Sequence, residues 1–236
     1  MELGILFDEM QVRRAAHARV LILLGAPGSG KGTQGAFLSR ELGIPSISTG
    51  EILRSEASSG SALGERLRKL LAGGELVHDE IVNRVVAKRL AEPDCVDGFL
   101  LDGYPRSVAQ AEFLTWLLLE SGFPEPAVLH LDVAPEAIVN RLAGRRQCPV
   151  CGRIYNLSFQ PPQVDGICDD DGAALAQRAD DREEVIHERL AVYERATKPI
   201  VEYYRGGDYY RVDASGSEAA VREEIEQALA LVPVAR

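Results

Sequence analysis

The most constraining feature of this 236-residue chain is a short apolar run that leads into a glycine-rich loop. Val20 to Leu24 reads VLILL, and Gly25 to Thr33 reads GAPGSGKGT. A fully apolar run of this length is typical of a buried parallel strand. The loop matches a phosphate-binding pattern, glycine, four residues and Gly-Lys, in which backbone N–H groups surround phosphate oxygens. A glycine-rich turn without a ligand is the weaker alternative, since a helix is predicted directly after the loop.

The charge in this loop comes from Lys31, which is placed to reach the outer phosphates, and the start of the next helix adds a partial positive charge. The pattern departs from the usual form at one position. Gly32 separates Lys31 from Thr33, whereas such loops usually have serine or threonine directly after the lysine. A direct bond from the Thr33 hydroxyl group to magnesium is therefore not predicted from this pattern.

Strand-like and helix-like segments alternate along the rest of the chain. Further strands are predicted at 46–48, 98–101, 127–133 and 209–212. Helices are predicted at 31–42, 50–57 with Thr49 as N-cap, 62–72, 79–90, 108–119, from 135 onward, 183–204 and 217–231. This alternation predicts an α/β fold with a five-stranded parallel sheet covered by helices on both faces. Trp116 shares helical spacing with Phe113 and Leu117 and is expected in the core.

The composition excludes several classes of protein. Lysine and arginine number 26 and aspartate and glutamate 36, so the formal net charge is −10. An acidic chain argues against broad binding to nucleic acid or to a membrane surface. No apolar run reaches about 18 residues, so no transmembrane helix is expected. Any anion site must therefore be local, built from a few converging basic side chains.

Three of the four cysteines fall in one stretch of different composition, between Arg145 and Asp181. Cys148 and Cys151 form one close pair, and Cys168 with Asp171 repeats that spacing with aspartate in place of a fourth cysteine. Two such pairs predict a tetrahedral zinc site. Asp169 and Asp170 compete with Asp171 for the fourth position, and three free thiols are the alternative to a metal.

The N-terminal residues lack the basic-then-apolar order of a signal peptide. Met10 is a second methionine at which the chain could begin.

Several motifs resemble the nucleoside monophosphate kinases, and most closely the bacterial adenylate kinases with a long zinc-binding lid. The resemblance runs from about Val20 onward over nearly the whole chain. The motifs that carry it are GAPGSGKGT at 25–33, STGEILR at 48–54, GELV at 74–77, GFLLDGYPR at 98–106, Gln110, Arg141 with GRR at 144–146, GRIYN at 152–156, PP at 161–162 and RADD at 178–181. The stretch GFLLDGYPR is the most specific of these.

The resemblance implies a division of the chain. Residues 1–18 are an extension of unknown role. The core phosphate-loop domain comprises 19–47, 78–143 and 182–236. Residues 48–77 form a small helical AMP-binding insertion, and 144–181 form a zinc-binding lid.

It also implies reversible, Mg²⁺-dependent transfer of the terminal phosphoryl group of ATP to AMP, giving two ADP. The implied catalytic residues are Lys31, Asp102, Arg106, Arg145, Arg178 and Arg189. The implied ATP contacts are Gly28, Ser29, Gly30, Lys31, Gly32, Thr33, Arg145, Ile154, Tyr155 and Gly216. The implied AMP contacts are Thr49, Arg54, Glu75, Leu76, Val77, Gly103, Tyr104, Arg106, Gln110, Arg178 and Arg189.

Within these sets the implied roles differ. Arg54 and Arg106 hold the AMP phosphate, while Thr49, the backbone of 75–77 and Gln110 read the adenine. Asp102 orients Mg²⁺ through water, because this ion keeps much of its hydration. Structural Zn²⁺ is held by Cys148, Cys151, Cys168 and Asp171. A monomeric cytoplasmic enzyme without nucleic-acid or membrane partners is expected.

The chain departs from the family pattern at three places. Tyr104 stands where phenylalanine is commoner, His78 where a small hydroxyl residue is usual, and Gly216 where glutamine or lysine is frequent. Gly216 therefore offers ATP only a backbone contact. These departures leave base selectivity open, and a UMP or CMP kinase of the same fold is the alternative. A zinc-stabilised protein that binds nucleotides without turnover is disfavoured, because Lys31 and the arginines are all present.

Overall fold

The structure, a computed structural model, describes residues 18–73 and 75–230. The extension predicted over 1–18 lies, apart from Ala18, outside the described residues, as do Gly74 and the end of the last predicted helix. The strands are β1 (Arg19–Leu24), β2 (Ser46–Ser48), β3 (Gly98–Asp102), β4 (Ala127–Asp132), β5 (Arg145–Gln147), β6 (Ile154–Asn156) and β7 (Tyr209–Asp213). The helices are α1 (Lys31–Leu42), α2 (Thr49–Ala57), α3 (Ala62–Gly73), α4 (Asp79–Leu90), α5 (Val108–Glu120), α6 (Pro135–Ala143), α7 (Glu183–Val192), α8 (Pro199–Tyr204) and α9 (Glu218–Ala228).

Five strands form one parallel sheet in the order β2-β3-β1-β4-β7, so the predicted fold class is confirmed. Alternate side chains of β1 enter two separate cores. Val20, Ile22 and Leu24 pack with α4, α5 and α8 on one face. Leu21 and Leu23 pack with α1, α6 and α9 on the other. Both faces of the sheet are thus buried, as the unbroken apolar run of β1 predicts.

The segment predicted as one helix over 183–204 is interrupted, so that prediction was wrong in detail. α7 ends at Val192, a π-helical turn covers Tyr193–Thr197, and α8 begins at Pro199. Proline cannot donate the next helical hydrogen bond, and its ring crowds the carbonyl group four residues earlier. The chain widens instead, and the amide of Lys198 donates to the carbonyl of Tyr193, five residues back, at 2.9 Å.

Two other local predictions were wrong. Thr49 is the first residue of α2 and not its N-cap, and its hydroxyl group donates instead to the carbonyl of Gly103 at 2.9 Å. Trp116 is 40% exposed. The buried stripe of α5 runs through Gln110, Ala111, Leu114, Leu117 and Leu118, and Trp116 lies beside it.

The insertion between α6 and α7 contains an antiparallel pair of strands, β5 and β6, neither of which was predicted from the sequence. Its core is small and comprises Cys148, Tyr155 and Cys168 with Ala173 and Leu175 packed against them. Asn156 connects it to α6, since its side-chain amide donates to the carbonyl of Arg141 at 2.8 Å. Among the helices of the described part of the chain, none is both long and apolar enough to cross a membrane.

Candidate active site

The carboxyl ends of the parallel strands open into a cleft of about 1070 Å³. Parallel sheets place ligands at this edge, where the loops that follow the strands converge. The loops after β1, β2, β3 and β7 form one wall of the cleft, and the lid insertion contributes Arg145, Ile154 and Tyr155. Every predicted catalytic, ATP-contacting or AMP-contacting residue lines this cleft except Tyr104.

The glycine-rich loop adopts a conformation that only glycine accommodates at two positions. Gly30 precedes α1 with φ of 100°, in the left-handed region. Gly25 has φ of 142°, and a Cβ atom built there would lie 2.5 Å from the carbonyl oxygen of Leu131. These glycines let the loop turn tightly between β1 and α1, so that the start of the helix faces the cleft.

Lys31 lies at the centre of this loop. Its ammonium group donates to the carbonyl oxygens of Gly25 and Ala26, each at 2.8 Å. Burial lowers the pKa of Lys31 to about 8, and the carboxylate of Asp102 opposes that shift. Three arginines of the cleft lower this pKa further by charge repulsion; they are Arg106, Arg145 and Arg189.

Asp102 ends β3 and faces the first turn of α1. A Cβ atom built on Gly32 would lie 3.7 Å from Oδ2 of Asp102, so glycine at position 32 keeps space open in front of the carboxylate. Thr33 lines the same part of the cleft. A carboxylate with room for water beside a phosphate loop fits the oxygen chemistry and the hydration that Mg²⁺ prefers. The residues present therefore fit the ion that the sequence predicts.

A group of arginines concentrates positive charge across the cleft from the loop. Burial lowers the pKa of Arg178 to about 10, and the nearby cations Arg145 and Arg54 contribute to that shift. Arg106 donates from Nε to the carbonyl of Gly103 at 2.7 Å. Thr197, in the π-helical turn, donates to the carbonyl of Arg106 at 3.0 Å. Fixed guanidinium groups of this kind match the forked geometry of phosphate oxygens.

Two aspartates orient these arginines, and neither is among the site residues predicted from the sequence. Asp181 is fully buried and accepts two hydrogen bonds from Arg145, at 2.7 and 2.5 Å, and one from Arg189 at 3.1 Å. Asp180 pairs with Arg189 at 3.2 Å. Gln147 accepts a hydrogen bond from Nε of Arg178 at 2.6 Å. The signal for the aspartates was present in the RADD motif, where they follow Arg178.

The second side of the cleft contains the residues predicted to contact AMP. Thr49, Arg54, Gln110 and residues 75–77 all line it. The side chain of Tyr104 is fully buried and belongs to the core, where its hydroxyl group donates to Oδ1 of Asn83 at 2.6 Å. The structure therefore does not bring the Tyr104 side chain into the site.

The four predicted metal ligands form a separate cluster in the lid. One atom from each of Cys148, Cys151, Cys168 and Asp171 lies within 4.8 Å of the others. Cys148 and Cys168 are followed by similar tight turns that end in Gly152 and Gly172, with φ of 79° and 74°. The amides of Val150 and Cys151 donate to the sulfur of Cys148, at 3.3 and 3.4 Å. Three sulfurs and one carboxylate at this spacing fit tetrahedral zinc.

The two competing aspartates lie outside this cluster. Asp170 pairs with Arg153, and Asp169 accepts a hydrogen bond from the amide of Gln163 at 2.8 Å. Asp171 is the aspartate that approaches the sulfur of Cys148, at 3.1 Å. Tyr155 closes the cluster from inside the lid, with its hydroxyl group 3.4 Å from the sulfur of Cys168.

The geometry lets two anionic groups meet between the phosphate loop and the arginines. A parallel α/β fold with a phosphate loop, this cation cluster and two insertions around one cleft has the architecture of the nucleoside monophosphate kinases. The chain is a member of that class of phosphotransferases.

Comparison with known proteins gives the family within this class. The family model described as adenylate kinase matches residues 23–208. The chain therefore belongs to the adenylate kinase family.

Several adenylate kinases are similar to this chain over most of its length. An adenylate kinase from Caldanaerobacter subterraneus subsp. tengcongensis is 45% identical over 89% of this chain and 95% of its own length. One from Nitrosococcus oceani is 46% identical over 88% of this chain and 97% of its own. One from Archaeoglobus fulgidus is 45% identical over 89% of this chain and 97% of its own length.

Proposed function

We propose that this chain transfers the terminal phosphoryl group of ATP to AMP, reversibly and with Mg²⁺, and so forms two ADP. The observation that supports this most directly is the shared cleft of Lys31 and Arg106. Lys31 belongs to the phosphate loop, and Arg106 follows β3, yet the two cations influence each other electrostatically. Both residues line the same cleft, one after β1 and the other after β3. Two cations placed in this way suit a phosphate donor and a phosphate acceptor that face each other.

On the donor side, the backbone of 28–33 and Lys31 would bind the ATP phosphates. Arg145 would cover the nucleotide from the lid, with Ile154 near the base, and Gly216 would contribute a backbone contact. Asp102 would hold hydrated Mg²⁺, with Thr33 beside it. When bound, this ion would neutralise charge on the donor phosphates.

On the acceptor side, Arg54 and Arg106 would bind the AMP phosphate. Thr49, the backbone of 75–77 and Gln110 would surround the base, and Gly103 would lie next to Thr49 and Arg106. The acceptor is already an ionised phosphate oxygen, so no general base is needed. What the protein must do is align the phosphates and exclude water.

Arg178 and Arg189 would stabilise the charge of the phosphoryl group in transfer. Such charge is stabilised best by donors that are fixed before the reaction, because no reorganisation is then required. Asp181 and Asp180 hold Arg189, and Gln147 holds Arg178. The hydrogen bonds around the arginines thus support the proposed role.

Residues 48–77 and 144–181 would act as two closing segments around the core domain of 19–47, 78–143 and 182–236. The first would cover AMP and the second ATP, because hydrolysis is prevented only if water leaves before transfer. We propose that zinc in the lid is structural, since four protein ligands leave no position for substrate. The enzyme would act as a monomer, and cysteine ligands suit the reducing cytoplasm.

The direct test is a coupled assay with ATP as donor and AMP, CMP, UMP and GMP as acceptors. AMP should be strongly preferred, and the reverse reaction should form ATP and AMP from ADP. Lys31→Met should abolish most of the activity, because the phosphate loop then lacks its cation. Equal turnover of CMP or UMP would instead assign the chain to the alternative pyrimidine kinases.

A further inference from the structure

The side-chain amide of Gln110 is hydrogen-bonded at both of its ends. Its oxygen accepts from the backbone amide of Arg106 at 2.7 Å, and its nitrogen donates to Oδ1 of Asp79 at 2.6 Å. The orientation of the amide is fixed by chemistry, because a backbone N–H group can only donate and a carboxylate can only accept. Gln110 is 1% exposed, so little water competes for these contacts.

The carboxylate of Asp79 is itself held in place. Its Oδ2 accepts a hydrogen bond from the hydroxyl group of Ser107 at 2.8 Å. That same hydroxyl oxygen caps α5 by accepting from the backbone amide of Gln110 at 3.1 Å. Asp79 is the first residue of α4, where the helix dipole favours a negative charge. The N-terminal turns of α4 and α5 thus hold the Asp79 carboxylate against the side-chain amide of Gln110.

These contacts use half of the hydrogen-bonding capacity of the amide. A glutamine side chain has two N–H groups and an oxygen with two lone pairs. One N–H group and one lone pair of Gln110 therefore remain for a ligand, and the residue lines the cleft. The hydrogen bonds to Asp79 and to the Arg106 amide together determine which end of the Gln110 amide donates to a ligand and which end accepts.

A purine edge distinguishes between these two orientations. Adenine presents an amino donor beside a ring acceptor, whereas hypoxanthine presents a carbonyl acceptor beside a ring N–H donor. Hypoxanthine matches adenine closely in size and reverses only this polar pattern. To pair with it in the same position, the amide of Gln110 would have to flip.

We propose that Asp79 is a specificity-determining residue, which selects AMP over 6-oxopurine nucleotides by locking the amide of Gln110. The proposal rests on the proposed function, in which Gln110 faces the acceptor base. A flipped amide would direct its oxygen at the Asp79 carboxylate and its N–H group at the Arg106 amide. Two hydrogen bonds would thereby become two repulsive contacts. Asp79 acts through Gln110 and needs no contact with the nucleotide.

The test compares AMP with IMP as phosphoryl acceptors. Asp79→Asn replaces a group that only accepts with one that also donates, so a flipped Gln110 regains a partner. The ratio of kcat/KM for IMP to that for AMP should rise about tenfold or more, mainly through KM for IMP. Asp79→Glu keeps an acceptor-only group and should retain the wild-type ratio more closely than Asp79→Asn does.

The matched control is Glu80→Gln. Glu80 is the next residue of the same first helical turn and is exposed, so its substitution removes an equal charge from the helix start without touching the amide. This variant should keep the wild-type ratio. Asp79→Ala removes the acceptor altogether and should shift the ratio in the same direction as Asp79→Asn. It provides a second test if Asp79→Asn does not fold.

An unchanged ratio in folded Asp79→Asn and Asp79→Ala would overturn the proposal, as would an equal rise in Glu80→Gln. Failure of the proposed function would look different. The wild-type protein would then show no preference for AMP among the monophosphates, before any variant is made.

Discussion

The buried carboxylate of Asp181 joins the lid to the helix that follows it. It accepts two hydrogen bonds from Arg145, the first residue of β5, and one from Arg189 in α7. Removing one partner from a buried ion pair is costly because the remaining charge is left uncompensated. Asp181 therefore determines where two guanidinium groups point, although it need not contact a nucleotide itself.

Asp181→Asn should lower kcat by about a hundredfold, because a small displacement of the arginines misaligns the charge that, in the proposed function, they direct at the phosphoryl group. Steady-state kinetics with varied AMP should show a smaller change in KM than in kcat.

The control for Asp181→Asn is Asp94→Asn. Asp94 also receives two hydrogen bonds from one arginine, Arg89, at 2.8 and 2.7 Å, but Asp94 is exposed and neither residue lines the cleft. Asp94→Asn should therefore have the kcat of the wild-type protein. A near-normal kcat in folded Asp181→Asn would mean that Arg145 and Arg189 do not depend on this carboxylate.

Arg106→Ala should reduce kcat/KM for AMP by on the order of a hundredfold or more, because the acceptor site of the proposed function then lacks a forked charged donor to phosphate. Arg40→Ala, on the exposed side of α1, is the control and should behave as wild type. Circular dichroism should show that both variants are folded. Undiminished turnover by Arg106→Ala would remove this side chain from the acceptor site.

The parts of the site that could be predicted are those encoded by consecutive residues. The phosphate loop follows β1 directly, so its strand, turn and helix were all readable from GAPGSGKGT and its flanks. The residues after β3 were similarly close together in sequence. Their convergence on one cleft follows from parallel topology, which brings all the carboxyl ends of the strands to one edge.

Contacts between distant segments could not be predicted in the same way. Asp79 and Gln110 are 31 positions apart, and nothing in the intervening sequence shows that α4 and α5 start side by side. The local sequence predicts Thr49 as a helix N-cap. In the structure its hydroxyl group instead donates to the carbonyl of Gly103, which follows another strand. Tyr104 lies in a motif of site residues, but its ring is buried in the core.

His130 gives the fold a pH-dependent contribution to stability. It lies on β4 between two hydroxyl groups, with Nδ1 2.7 Å from that of Tyr209 and Nε2 3.3 Å from that of Tyr193. Burial lowers the pKa of His130; Asp132 opposes the shift and Arg211 adds to it. The folded protein thus keeps this imidazole neutral at a pH where the unfolded chain binds a proton.

Because the folded pKa is the lower one, this stabilisation is present above the unfolded pKa of about 6.5 and is lost as the pH falls from there through the folded pKa. His130→Gln cannot take up this proton, so its free energy of unfolding should fall less steeply between about pH 7 and pH 5. Urea unfolding of both proteins, each with zinc bound, measures the difference. Parallel pH profiles would show that His130 is not responsible.

Metal analysis of the purified protein should find one zinc ion per chain. Few apolar side chains of the lid are buried, since Val150, Phe159 and Val164 are exposed. Its small core consists largely of the cysteine cluster and Tyr155. Order in this segment should therefore depend on the metal. A strong chelator should lower the melting temperature of the lid and increase its proteolysis, while the parallel sheet stays folded.

Ligand variants should separate the cluster from its acidic neighbours. Cys168→Ser should weaken zinc retention greatly, whereas Asp170→Asn should have little effect because Asp170 pairs with Arg153 instead. Asp171→Ala should also weaken retention, since this carboxylate lies beside the sulfur of Cys148. Unchanged zinc affinity in Asp171→Ala would assign the fourth position to another group. A metal-free protein after growth with zinc, with a melting temperature insensitive to chelator, would mean that the cysteines are free thiols.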